Sequence, residues 1–114
     1  MPNSCSSHER DALFAAIAQG NTERFGQILA KLSTDRRLLL GLQTYRMGDT
    51  ALHAAARHGQ LGMLADLLSW IPLESTNNDG KTALHEAAAS ENLEVTKYLL
   101  DQGANVDALK RADW

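Results

Sequence analysis

Leu13, Ala16 and Ile17 share one helical face and are followed by Gly20; Phe25, Ile28 and Leu29 then share a second face. The same paired pattern returns twice. Leu52, Ala55 and Ala56 precede Gly59, and Leu64, Leu67 and Leu68 follow it. Leu84, Ala87 and Ala88 precede Glu91, and Thr96, Leu99 and Leu100 follow. This spacing predicts three helix pairs in one register. Ala at successive inward positions of each first helix predicts close approach between neighbouring helices, with Leu on the second helices filling the wider gap. Two stretches repeat almost verbatim, Thr50-Ala51-Leu52-His53-Ala54-Ala55-Ala56 and Thr82-Ala83-Leu84-His85-Glu86-Ala87-Ala88, 32 residues apart. A period of about 33 belongs to stacked helical units whose contacts run between nearest neighbours, and such stacks usually serve as binding surfaces.

The punctuation supports the same register. Ser6-Ser7-His8-Glu9 reads as a capping box opening the first helix. Gly48 and Gly80, each two residues before a Thr, suit tight turns, and Thr50 and Thr82 can cap the helices that follow. Gly59 and Gly103 stand where a left-handed residue ends a helix. Gly20 to Gly59 is 39 residues, but Gly59 to Glu91 is 32, so the first connection holds an insertion. Thr34 to Leu40 is its predicted place, with one extra helical turn. The expected organisation is a flexible N-terminus over 1–7 and one repeat domain over 8–114. Its units cover about 8–40, 45–76 and 77–108, and a partial next loop covers 109–114.

Composition narrows the class. Hydrophobic residues are 44% and charged residues 22%, ordinary globular values that argue against disorder throughout. Aromatics are only 5%, so Leu and Ala must fill the core. A net charge of −3 disfavours non-specific attraction to nucleic acid or anionic lipid. Cys5 is the single cysteine and cannot form an internal disulfide, which fits a reducing compartment, cytoplasmic or nuclear. No apolar run approaches the roughly 18 residues of a membrane span, and the start lacks a secretory pattern.

Catalytic chemistry finds little support. Ser33, Ser69, Ser75 and Ser90 lack a His with an acidic orienter, and no phosphate-cradling Gly-rich loop occurs. No enzyme activity, cofactor or metal is expected. His53 and His85 recur at one repeat position, about 10 Å apart if adjacent first helices pack normally. That is too far to share one zinc, so each is expected to hydrogen-bond a neighbouring loop. Arg36, Arg37, Lys110 and Arg111 could touch RNA, but without interleaved aromatics they read as solvated charge.

The motif residues resemble the ankyrin-repeat family. Gly48-Asp49-Thr50-Ala51-Leu52-His53 and Gly80-Lys81-Thr82-Ala83-Leu84-His85 match its unit start, with Ala in place of Pro. Leu99-Leu100-Asp101-Gln102-Gly103-Ala104-Asn105-Val106-Asp107-Ala108 matches a unit end and the next connecting loop, or finger. The first unit departs, with Asp11 and Phe14 at the Thr and His positions. Glu91-Asn92 replaces Gly-His, and Thr96 replaces an inward aliphatic residue. The resemblance implies an all-α ankyrin-repeat solenoid of three helix pairs plus the start of a fourth finger, binding a folded protein on its concave side. Carried over position by position, the partner-binding residues are Arg46, Met47, Asp49, Arg57, His58, Asn78, Asp79, Lys81, Ser90, Arg111 and Trp114. Trp70 is expected on the second-helix side.

Within the family, Ser69 to Asn77 and Asp107 to Trp114 resemble a member that assists alanyl-tRNA synthetase in translational fidelity. That likeness implies the synthetase as partner. Two rival roles stay open: lysines Lys31, Lys81, Lys97 or Lys110 as acceptors of a misactivated amino acid, and RNA binding through basic fingers. The last finger stops where a further unit would begin, so the chain reads as the N-terminal part of a longer protein or a short isoform. An uncovered Val95 and Leu99 would then favour self-association.

Overall fold

In a computed structural model of the chain, the described residues are 7–33, 35 and 46–105. They form six α-helices: α1 (Ser7–Gln19), α2 (Thr22–Ala30), α3 (Ala51–Arg57), α4 (Leu61–Leu67), α5 (Ala83–Ala89) and α6 (Leu93–Asp101). A single 3-10 turn, Arg46–Gly48, precedes α3. The first helices α1, α3 and α5 stack in one row, and each packs on its own second helix. The all-α paired architecture read from the periodicity is the one adopted. The capping box at Ser6, the insert around Thr34 to Leu40 (Asp35 apart) and the last finger lie outside the described residues.

The row of first helices is close-packed through small side chains. Ala51, Ala55 and Ala56 of α3 and Ala83 and Ala87 of α5 are buried, with Leu13, Ile17, Leu52 and Leu84 between them. The second helices contribute Phe25, Leu29, Met63, Leu64, Leu67, Val95 and Leu99. Two details differ from the sequence reading. On α6 the inward residue is Val95, while Leu100 and Leu93 face outward. Val95 and Leu99 are fully buried, so they are not the apolar surface expected to mediate self-association. Thr96, at the expected aliphatic position, turns its hydroxyl back to the carbonyl of Asn92 at 2.8 Å.

Each first helix ends in the same left-handed turn. The amides of Asn21, Gln60 and Asn92 donate to the carbonyls of Ala16, Ala55 and Ala87, each at 2.9 Å, the six-to-one bond of a Schellman cap. The residue just before each of those amides has positive φ: Gly20 at 69°, Gly59 at 69° and Glu91 at 57°. Glu91 thus keeps the hydrogen bonding of the glycine turns and accepts a left-handed backbone. The glycines also leave room for the next unit. A Cβ on Gly59 would stand 2.1 Å from the side-chain nitrogen of Asn92, and one on Gly20 would stand 2.9 Å from that of Gln60.

Candidate functional site

The fingers are tied to the helices by histidine. Thr50 caps α3, and the backbone amide of Thr50 donates to His53 Nδ1 at 3.1 Å. An amide can only donate, so Nδ1 carries no proton and Nε2 must carry it. Nε2 donates to the backbone carbonyl of Lys81 in the next finger at 2.7 Å. The ring is fully buried, and that desolvation pushes its pKa below the usual 6.5. The bond to Lys81 and the nearby carboxylates of Asp49 and Glu86 oppose the shift without reversing it. Thr82 and His85 repeat the same cap on α5, with the Thr82 amide 2.9 Å from His85 Nδ1. Both histidines are structural, as the loop-bonding reading held for His53. Among the described residues no group of three or more His, Cys, Asp or Glu could hold a metal ion.

Asp49 changes place relative to expectation. It is 5% exposed, and its carboxylate is already occupied. Arg57 Nη2 lies 2.5 Å from one oxygen and Asn77 Nδ2 donates to the other at 3.0 Å. Asp49 is therefore a buried anchor between finger and helix, not a finger-tip contact. Arg57 also donates through Nε to Glu86 at 3.0 Å. Burial alone would lower the Arg57 pKa, but the bonds to Glu86 and Asp49 and the attraction of both carboxylates raise it. One guanidinium thus joins α3, α5 and the finger before α3.

Neither Asn77 nor Glu86 was singled out from the sequence. Asn77 folds its own turn, taking the amides of Asp79 and Lys81 on its side-chain oxygen, each at 3.0 Å. Glu86 occupies the position that Ala54 holds one unit earlier; a carboxylate in an otherwise alanine row was the available signal for a partner across the stack.

Arg57, His58 and Asp49 meet Asp11, Phe14, Ala15, Ala18 and Ala54 in a 290 Å³ cleft between α1 and α3. The four α1 residues were outside the predicted set. His58 is the exposed C-cap of α3. The other predicted residues sit elsewhere. Met47 is 61% exposed and has a left-handed backbone, φ 60°, and its carbonyl accepts the Asn78 amide at 2.9 Å. Asn78 and Asp79 are exposed at the next finger tip, and Lys81 is half-buried. Ser90 is the exposed C-cap of α5. The side chain of Arg46, and Arg111 and Trp114 entirely, lie outside the described residues. Trp70 is half-buried on the second-helix side, against the core.

The arrangement offers a cleft whose walls come from two neighbouring units. Comparison with known proteins bears on the family of the chain. The family model described as "Ankyrin repeats (3 copies)" matches residues 13–110. The human B-cell lymphoma 3 protein is 41% identical over 69 residues, which is 56% of this chain and 15% of that protein. Human neurogenic locus notch homolog protein 2 is 44% identical over 61 residues, 53% of this chain and 2% of that protein. The chain therefore spans a small part of these relatives. A chain in the solved complex of the Bd0816 predatory endopeptidase from Bdellovibrio bacteriovorus with immunity protein Bd3460 superposes with a TM-score of 0.72. It is 34% identical, and the match covers 84% of this chain and 48% of that one.

Proposed function

The chain belongs to the ankyrin-repeat family, and we propose that it engages a folded protein partner through the cleft between α1 and α3. Ankyrin repeats are protein-binding modules. The observation that carries the site is the shared origin of its walls: Asp11, Phe14, Ala15 and Ala18 come from one unit, and Ala54, Arg57 and His58 from the next. Its geometry is fixed by the Asp49–Arg57–Glu86 ion pairs, so little ordering entropy is lost on binding. Met47, Asn78, Asp79, Lys81 and Ser90 extend the contact along the fingers and the end of α5. No helix among the described residues is long and apolar enough to cross a membrane.

The finer proposal is that the partner is alanyl-tRNA synthetase, in support of translational fidelity in cytoplasm or nucleus. It rests on the likeness of Ser69 to Asn77 and Asp107 to Trp114 to ankyrin repeat domain-containing protein 16. An acceptor role for lysines is a separate reading; Lys31 and Lys97 are exposed and available for acylation.

Affinity capture with purified synthetase, and with a cytosolic lysate, tests both levels. The unmodified chain is compared with an Ala15→Arg, Ala18→Arg variant, which fills the cleft from exposed positions. A partner lost with the variant supports the cleft; a partner retained moves the site elsewhere. Absence of the synthetase from an otherwise specific capture removes the finer proposal alone. Acyl adducts on Lys31 or Lys97 after incubation with synthetase, serine and ATP, read by mass spectrometry, would favour the acceptor role.

A further inference from the structure

On the opposite, second-helix side, Gly26, Leu29 and Ala30 of α2 face Asp66, Ser69 and Trp70 across a 280 Å³ cleft between α2 and α4. Gly26 is hard to explain by folding. It lies inside α2, its φ is not positive, and a Cβ built on it would meet nothing within 4 Å. Neither backbone conformation nor packing demands glycine there, and glycine inside a helix destabilises it relative to alanine. What the missing side chain does is keep the floor of the cleft open.

The walls select a charge. Among the described residues, the Asp66 carboxylate and the Trp70 indole N–H make no hydrogen bond or ion pair; at Asp66 the backbone carbonyl is engaged, accepting from Ser69 Oγ at 2.6 Å and the Ser69 amide at 3.2 Å. Both α2 and α4 end at the cleft, so the negative poles of two helices add to the Asp66 charge. Lys31, the nearest cation in sequence, lines a different cleft with Glu9 between α1 and α2. An indole and an unpaired carboxylate lining one cleft suit a guanidinium, which stacks on an indole and bonds carboxylate oxygens in its own plane.

We infer that this cleft binds an arginine side chain of a protein partner, stacked on Trp70 and paired with Asp66 over the floor opened by Gly26. The site is independent of the cleft between α1 and α3.

The test is a titration of the full chain with N-acetylarginine amide, followed by the amide signals of Gly26 and Ala30 and the Trp70 indole signal, assigned with Trp70→Phe. N-acetylcitrulline amide, uncharged and nearly the same shape, is the control. The arginine compound should move these signals and bind at least about fivefold more tightly than the citrulline one, as expected for a cation on an aromatic and a carboxylate. Asp66→Asn should remove that preference. Gly26→Ala separates binding from folding: its melting temperature should rise by about 4 °C, while arginine binding weakens about fivefold. Equal binding of citrulline, unchanged affinity in Gly26→Ala, or shifts confined to Ala15 and His58 in the other cleft would each overturn the assignment.

Discussion

His53 Nε2 sits 2.7 Å from the carbonyl oxygen of Lys81, joining a buried helix residue to a finger 28 positions further along the chain. In the neutral ring the donated proton sits on Nε2, because the Thr50 amide claims Nδ1. Protonating Nδ1 would break the α3 cap.

Stability should therefore depend on pH near neutrality. The folded-state pKa of His53 is below 6.5, so the unfolded chain binds more protons as pH falls through that value. His53 then contributes fully above about pH 6.5 and progressively less below it, down to its folded pKa. Urea unfolding between pH 5 and 8 should show this loss, and His53→Gln should flatten it. The same variant should cost about 1–3 kcal/mol at pH 7.5, through the hydrogen bonds it disturbs.

Replacing Glu91 by glycine should stabilise the chain by about 1 kcal/mol, because a left-handed backbone costs an L-residue about that much. Thermal melts would read it directly. Gly59→Ala, at the equivalent turn, should destabilise by more than that gain, since the new methyl overlaps the Asn92 amide as well as straining the backbone. Equal effects of opposite sign would mean that backbone strain alone operates at both turns.

Arg57→Ala should destabilise by about 1–2 kcal/mol, leaving a nearly buried Asp49 with Asn77 as its remaining partner. The Arg57 side chain is 40% exposed, which keeps the loss below that of a fully buried pair. Glu86→Gln should cost less, because Asp49 still holds the guanidinium. A double-mutant cycle between Asp49 and Arg57 would isolate their coupling.

The cleft variant Ala15→Arg, Ala18→Arg should unfold within about 0.5 kcal/mol of the unmodified chain, since both positions are exposed on α1. Loss of partner capture at unchanged stability would tie binding to the cleft. Loss of both would mean that these positions support the fold.

Periodicity made the helix pairs readable, since Leu and Ala recur on inward faces at a fixed interval and the interval survives any surface change. Thr50 and Thr82 were readable as caps for the same reason. The site was harder. Asp49 was read as a partner contact because sequence spacing cannot show that Arg57, eight residues on, turns back to it. Asn77 and Glu86 act across units, 28 and 29 residues away; the carboxylate in an alanine row was the signal for Glu86, and nothing local marks Asn77. Asp11 and Phe14 looked like departures from a motif, whereas stacking α1 on α3 makes them one wall of the cleft.

The turns that end the first helices carry a further consequence. Gln60 lies over Gly20 and Asn92 lies over Gly59, so each unit inspects the turn of the one before it. Glu91 presents a side chain where those two turns present none. A duplicate of the third unit inserted behind the original would bring a second Asn92 down onto Glu91 and collide. The order of the units is thus not free: shuffling or duplicating them requires rewriting the turn residue, and the array carries its own addressing at three backbone positions.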